Sequence, residues 1–285
     1  MNDILNMTKA TRFERTLIPL SYIIIPIAYA NKITPDIIFL MISCIFTYAT
    51  GGLINAKIDN DFKTKNINKT ILLFLSIALL FSLKNYIITL TILIGFTMGY
   101  IYSRPARKIL FGDGIILPIT HILIPIISSS LILKVSLIEI IPLTIALMIP
   151  FGTMLQMKNL KGIKQDKRNN YKTLMTCYKN GRLITYYLMK ISFITIFLIY
   201  FLFDLGNNYL IIVLILYMIQ IIMDYFIYTK QELKAHGLTR LITIIIPLAI
   251  VLEKNPKFAT INLIFILIYI TYYLYKFKKM HIDGS

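Results

Sequence analysis

Cysteine and charged residues are both scarce in this sequence of 285 residues. The two cysteines, Cys44 and Cys177, are far apart in the chain, which argues against a disulfide framework or a cysteine-rich metal site. Only 15% of the residues are charged, whereas 57% are hydrophobic, and the mean hydropathy is +0.73. A soluble domain of this length needs more polar residues to cover its surface, so the composition indicates a membrane protein.

Apolar runs of about 17 to 25 residues recur along the chain, and this length crosses a hydrocarbon core of roughly 30 Å as a helix. They predict an all-α fold class: one membrane domain over residues 1–285, a polytopic bundle of nine or ten transmembrane helices around a central cavity. The predicted spans are Thr16–Asn31, Pro35–Asn55, Thr70–Leu83, Tyr86–Tyr102, Ile115–Leu133, Leu137–Met157, Leu183–Phe203, Asn208–Tyr228, Leu241–Leu252 and Ala259–Tyr275. Because the ninth run is short, it is predicted to be a half-helix or one part of a broken span shared with the tenth.

Basic residues are distributed unevenly between the predicted loops. The amino-terminal segment and the loops after even-numbered helices hold 21 Lys and Arg residues, whereas the opposite loops hold five. Lys and Arg accumulate on the cytoplasmic side, so the amino terminus and the even-numbered loops are predicted to be cytoplasmic in a multi-pass cell-membrane protein. This bias, with attraction to anionic membrane lipids, explains the net charge of +17; no nucleic-acid motif accompanies it, so no nucleic-acid partner is predicted.

The scarcity of acids makes each one informative, since a charge inside the membrane is costly. Asn55 and Asp59 share one helical face at the end of the second predicted helix, and Asp61 follows. Asn159 and Asp166 occupy the matching place after the sixth helix. Four helices separate the two segments, which predicts two four-helix halves whose carboxylates face each other. Such carboxylates suit Mg²⁺, which takes oxygen ligands and is commonly completed by phosphate oxygens.

A cationic turn follows the fourth predicted helix. It contains Tyr102, Ser103, Arg107 and Lys108. The guanidinium group matches the geometry of phosphate oxygens, and lysine adds a point charge. The alternative is an ordinary cytoplasmic loop, whose cations only set the orientation in the membrane.

Together these segments resemble the UbiA-type intramembrane prenyltransferases. That family shows an Asn-Asp-x-x-Asp-x-x-x-Asp motif after its second helix, a Tyr-Ser-x-Pro-type loop after its fourth and an Asp-rich motif after its sixth. The matching residues here are Asn55 and Asp59, then Tyr102, Ser103, Pro105, Arg107 and Lys108, then Asn159, Asp166, Asn170, Thr173 and Leu174. Ala56, Lys63 and Gly162 stand where the family usually has acids.

The resemblance implies a prenyltransferase. A polyprenyl diphosphate would ionise with the help of Mg²⁺, and a lipid-soluble acceptor would capture the carbocation within the membrane. The catalytic residues would be Asn55, Asp59, Asn159 and Asp166; the metal ligands Asp59, Asp61 and Asp166; and the substrate-binding residues Tyr102, Ser103, Arg107, Lys108, Lys164 and Lys172. Candidate acceptors include an aromatic quinone precursor, a prenylated glycerol phosphate and a carotenoid.

Other functions are open at this point. Polar stripes in symmetric halves also occur in transporters, although matching Gly or Pro breaks are not evident in the two halves. The missing motif acids are also compatible with an inactive family member that binds an isoprenoid lipid. Lys190 and Asp224, inside the seventh and eighth helices, are predicted to line the cavity, to pair with each other, or to reach water at the membrane surface. His236 is predicted to lie in a solvated loop.

Overall fold

The computed structural model describes residues 10–59, 66–160 and 163–282, which form ten long helices and no strand. Asp61, one of the predicted metal ligands, lies outside these ranges. The helices are α1 Leu17–Ala30, α2 Pro35–Asp59, α3 Ile67–Leu80, α4 Tyr86–Ser103, α5 Gly112–Leu133, α6 Leu137–Met154, α7 Gly181–Leu202, α8 Asn207–Tyr228, α9 Glu232–Lys254 and α10 Ala259–Ile282. Two short helices, Ile163–Arg168 and Leu174–Cys177, lie between α6 and α7. The predicted all-α class is confirmed.

Eight of the helices in these ranges are long and apolar enough to cross a membrane. The other two, α1 and α3, have 14 residues each, which corresponds to about 21 Å of helix against a hydrocarbon core of roughly 30 Å. The count of nine or ten crossings therefore stays a prediction.

Helix α1 forms the centre of the bundle. Every residue from Leu17 to Ala28 is buried, and α1 packs against α5, α9 and α10. A helix that is apolar on all sides suits this place, because every face meets another helix. In α7 and α8, by contrast, many leucines and isoleucines point away from the protein, where lipid chains are their natural neighbours.

The ninth span is not the half-helix or broken span that was predicted. It is one continuous helix of 23 residues that begins at Glu232, nine residues before the predicted start at Leu241. Its first turns carry Lys234, His236 and Arg240, which lowered the local hydropathy and made this part read as a loop. His236 is only 5% exposed, so its assignment to a solvated loop was wrong.

Helices α5 and α6 approach closely at Gly114 and Gly152, and no room is left for a side chain at Gly152. A Cβ atom on Gly152 would lie 2.5 Å from the backbone oxygen of Gly114. We expect Gly152→Ala to lower the free energy of unfolding by about 1–3 kcal/mol, since two helix backbones would have to separate. Thermal unfolding in detergent micelles measures this.

Gly51→Ala in α2 is the matched control, because a Cβ atom there would meet no atom within 4 Å. Alanine favours the helix over glycine by up to about 1 kcal/mol, so this variant should be at least as stable as the wild type. Equal losses in both variants would contradict the close approach of α5 and α6.

Candidate functional site

A cavity of about 330 Å³ opens at the end of the bundle where α2, α4 and α6 end and α9 begins. Its lining comes from residues 11–15, from α1, α2, α4, α5, α6 and α9, and from the segments that follow α4 and α6. Helix α9 lies outside both of the predicted four-helix halves, yet it supplies four lining residues: His236, Thr239, Arg240 and Thr243. Their spacing places them on one face of the helix.

Two carboxylates at this cavity converge on one guanidinium group. Nη1 of Arg107 donates to Oδ2 of Asp59 at 2.6 Å, and Nη2 of Arg107 lies 3.6 Å from Oδ1 of Asp166. Asp59 is the last residue of α2, whereas Asp166 lies in the short helix after α6. Two acids more than 100 positions apart in the sequence thus share one cation.

Neighbouring residues fix this arrangement. The amide of Asn55, one turn earlier in α2, donates to Oδ2 of Asp59 at 3.0 Å. The hydroxyl of Tyr171 donates to Oδ1 of Asp59 at 2.7 Å, and the guanidinium carbon of Arg107 lies 3.8 Å from the centre of the Tyr171 ring. The backbone N–H of Lys172 donates to the backbone oxygen of Arg107 at 2.9 Å. The loop after α4 and the segment after α6 are therefore held together.

A second buried ion pair lies beside the first cluster. Nζ of Lys158 is 2.8 Å from Oδ2 of Asp113 and donates to the hydroxyl oxygen of Tyr102 at 3.0 Å. The side-chain amides of Gln156 and Asn159 donate to the two oxygens of Asp113, each at 3.3 Å. Both charges are thus paired and hydrogen-bonded, as a buried pair requires.

The cations near Asp166 offset only part of the effect of burial on its pKa. Burial raises the pKa of Asp166 above its usual value, although Arg107 and Lys158 act in the opposite direction. Burial and the hydrogen bond to Asp59 raise the pKa of Tyr171 to about 12, so this phenol stays a donor. Additional positive charge near Asp166 would favour its ionised form.

The wall of the cavity beyond these charges is aromatic. Residues Ile119–Leu123 form a π-helical turn inside α5, a distortion that is frequent at functional sites. The hydroxyl of Tyr48 donates to the backbone oxygen of Thr120 in this turn. The ring of His121 lies 5.0 Å from that of Tyr48 and 5.7 Å from that of Phe151. These rings offer a surface for an unsaturated hydrocarbon chain.

Six of the predicted site residues line this cavity: Asn55, Asp59, Tyr102, Arg107, Asn159 and Asp166. The structure does not bring four others to it. Lys108, Lys164 and Lys172 are exposed outside the lining, and Ser103 is buried, where its hydroxyl donates to the backbone oxygen of Gly99. The predicted pairing of Lys190 with Asp224 is present.

Sequence reasoning missed several charged and polar residues of the site: Arg12, Arg15, Asp113, Tyr171, His236 and Arg240. Asp113 carried a usable signal, because an acid at the start of an apolar span needs a partner. Arg240 carried none, because its position was attributed to a loop.

The described residues contain no group of three or more His, Cys, Asp or Glu side chains that could hold a metal ion. Asp59 and Asp166 nevertheless already share the positive charge of Arg107, and both offer carboxylate oxygens. Such a donor set fits Mg²⁺, which often uses one or two protein carboxylates and completes its shell with water and substrate phosphates.

Solved structures of other proteins share this fold. A digeranylgeranylglyceryl phosphate synthase is 17% identical, with a TM-score of 0.61 over 89% of this chain and 99% of that one. A UbiA homologue from Aeropyrum pernix K1 is 13% identical, with a TM-score of 0.67 over 85% and 98%. A UbiA homologue from Archaeoglobus fulgidus, bound to DMAPP and Mg²⁺, is 15% identical, with a TM-score of 0.53 over 94% and 99%.

Among curated proteins, no sequence is significantly similar to this chain. The model of the UbiA prenyltransferase family, however, matches residues 69–241, which is more than half of the sequence. This region contains the loop after α4, the ion pair of Lys158 with Asp113, and Asp166. We conclude that the chain belongs to the UbiA prenyltransferase family.

Proposed function

We propose that this protein transfers a prenyl group from a polyprenyl diphosphate to a lipid-soluble acceptor within the membrane. The observation that carries the proposal is the convergence of Asp59 and Asp166 on Arg107 at an aromatic-walled cavity. Carboxylates, a guanidinium group and apolar rings correspond to the metal, the diphosphate and the isoprenoid chain that such a reaction brings together.

Mg²⁺ is the proposed cofactor, and a solved relative was obtained with DMAPP and Mg²⁺. Asp59 and Asp166 would hold the ion, with Asn55 hydrogen-bonded to Asp59 and Asn159 in the same cavity lining. Asp61 is a further ligand proposed from the sequence. When bound, Mg²⁺ supplies positive charge to the diphosphate oxygens. The contacts of both carboxylates with Arg107 support this assignment, because they show that the two side chains already face one positive charge.

The cationic side chains would stabilise the leaving group. Arg107 and Lys158 line the cavity and carry donors that suit diphosphate oxygens. The bond between the allylic carbon and the diphosphate oxygen breaks, and its electron pair stays on the diphosphate. The acceptor then bonds to the allylic carbon, and the proton it loses goes to the released diphosphate. The aromatic wall would keep water from the carbocation.

The three exposed lysines of the predicted site would act before the reaction, when the diphosphate approaches the cavity. Lys108, Lys164 and Lys172 are exposed near the segments that carry Arg107 and Asp166. We propose that this end faces the cytoplasm, as the uneven distribution of basic residues predicts, and that the three lysines attract the anionic diphosphate towards the cavity.

Removal of the metal tests the reaction. Purified protein in lipid vesicles, given a radiolabelled polyprenyl diphosphate, Mg²⁺ and a lipid extract, should form a labelled lipid product. EDTA should lower the rate by about 100-fold or more, because the diphosphate loses its main counter-charge, and added Mg²⁺ should restore it.

Three negative results of this experiment would point to three different conclusions. An unchanged rate in EDTA would contradict the magnesium site. Saturable binding of the diphosphate without any product from a range of acceptors would favour the inactive lipid-binding alternative. Passage of the intact labelled compound across the vesicle membrane would favour a transporter.

A further inference from the structure

A second group of cations lines the same cavity and has no part in the reaction described above. It consists of Arg12, Arg15 and Arg240, and we call it the arginine cluster. Arg12 and Arg15 precede α1, whereas Arg240 lies on the cavity face of α9. These two segments are far apart in the sequence, so the tertiary fold builds the cluster.

The carboxylate of Glu14 pairs with two members of this cluster, and both contacts are long. Nε of Arg15 lies 3.9 Å, and Nη1 of Arg240 lies 3.5 Å, from the same oxygen of Glu14. Charge-assisted bonds are normally about 2.7–2.9 Å long, so neither contact is tight. Nε of Arg15 is also buried without a hydrogen-bond partner. One carboxylate thus serves two guanidinium groups and satisfies neither fully.

The environment of Arg15 shows the resulting excess of positive charge. Its side chain is 34% exposed, and it lines the cavity rather than packing into the core. Its desolvated surroundings, followed by the nearby charges of Arg12 and Arg240, lower its pKa well below the usual value. An anion in this part of the cavity would relieve that repulsion and supply the missing acceptor.

The arginine cluster is distinct from the residues proposed for the diphosphate but close to them. Arg107 pairs with Asp59 and Asp166, whereas Arg15 and Arg240 pair with Glu14. Tyr102 connects the two groups, because it accepts a hydrogen bond from Lys158 and is near enough to influence the pKa of Arg15. The cavity therefore offers a second place for an anion next to the first.

We propose that the arginine cluster binds the phosphate group of the acceptor, which is a lipid with a phosphate monoester and a free hydroxyl. A phosphate monoester carries about −1.5 to −2 charges at neutral pH, and the guanidinium groups of Arg15 and Arg240, which share the single carboxylate of Glu14, offer it charge and donors. The hydroxyl oxygen of the acceptor forms an ether bond to the allylic carbon, and its proton leaves with the diphosphate. This inference rests on the proposed function.

Ligand-induced stabilisation tests the binding without depending on turnover. The thermal unfolding of the wild-type protein is measured with a prenylated glycerol phosphate, with the same lipid after removal of its phosphate, and with phosphatidylglycerol. We expect the prenylated glycerol phosphate to raise the unfolding temperature of the protein and the other two lipids to leave it unchanged. Equal stabilisation by the dephosphorylated lipid would overturn the proposal. Equal stabilisation by phosphatidylglycerol would also overturn it, because it would show a general site for lipid headgroups.

Substitutions assign the effect to the cluster. Arg15→Gln and Arg240→Gln should each weaken binding of the phosphate lipid, and raise its KM, by about tenfold or more. The KM of Arg15→Lys for this lipid should lie between those of the Gln variants and of the wild type, because lysine keeps the charge but not the forked donors. The KM for the polyprenyl diphosphate should stay within about twofold, since its ligands are unchanged. Arg182→Gln is the control, because Arg182 forms an exposed ion pair with Glu232 outside the cavity lining.

The outcomes separate the two proposals. If the Gln variants raise the KM for the diphosphate instead, the arginines bind the donor and this inference is wrong. If a neutral or carboxylate acceptor is used as well as the phosphate lipid, the inference is also wrong, although prenyl transfer stands. If the diphosphate with Mg²⁺ neither stabilises the protein nor reacts, the proposed function itself fails.

Discussion

Asp59→Asn and Asp166→Asn should each reduce prenyl transfer by about 100- to 1000-fold, while the protein remains folded. Asparagine keeps the size of the side chain but removes the charge that Arg107 now pairs with and that the proposed Mg²⁺ requires. The rate of labelled product formation, measured at saturating diphosphate, reports the effect. Both residues must matter, because they hold the same cation from two different segments of the chain.

Asp204→Asn is the control for this experiment. Asp204 is exposed between α7 and α8, and its backbone is in the left-handed region, with a φ of 46°, which asparagine adopts readily. This variant should keep its activity within about twofold of the wild type, since surface substitutions rarely perturb a protein. If Asp59→Asn or Asp166→Asn behaved like the control, the proposed site would be wrong.

Lys158→Met should lower the free energy of unfolding by about 3–5 kcal/mol, because it leaves the buried carboxylate of Asp113 without its counter-charge. The amides of Gln156 and Asn159 would remain as donors, but they are neutral. Unfolding in detergent micelles, followed by circular dichroism against temperature or denaturant, measures the loss of stability.

The double variant Lys158→Met with Asp113→Asn separates charge from packing. It removes both charges at once, so much of the lost stability should return, as happens when a buried pair is replaced as a unit. A double variant that is at least as unstable as Lys158→Met alone would show that the site depends on shape or on other contacts, rather than on the balance of the two charges.

The fold was largely predictable from hydropathy, and the exception has a physical cause. The ten predicted apolar runs all occur as helices, with ends shifted by a few residues in most cases. Helix α9 differs because it is amphipathic towards a cavity: Arg240 and His236 face polar space inside the protein. A hydropathy average cannot distinguish such a helix from a charged loop, because both lower the mean in the same way.

The site was predictable only where local spacing carried the information. Asn55 and Asp59 lie one helical turn apart, so their common face followed from the sequence. The pairing of Asp113 with Lys158 did not, because it depends on how α5 and the end of α6 cross. The exposed positions of Lys164, in a short helix, and of Lys172, between the two short helices, were equally hidden, since charge alone does not say where a lysine side chain points.

The central position of α1 has a consequence for biosynthesis. Of the ten helices described, α1 is synthesised before the others, yet it contacts little but protein in the finished bundle, and one of its main neighbours, α9, is synthesised about 200 residues later. At roughly 5–20 residues per second, α1 waits about 10–40 s for that neighbour. During this interval a 14-residue helix must be retained by the translocation machinery or by α2, so α1 is among the last of the ten helices to reach its native surroundings.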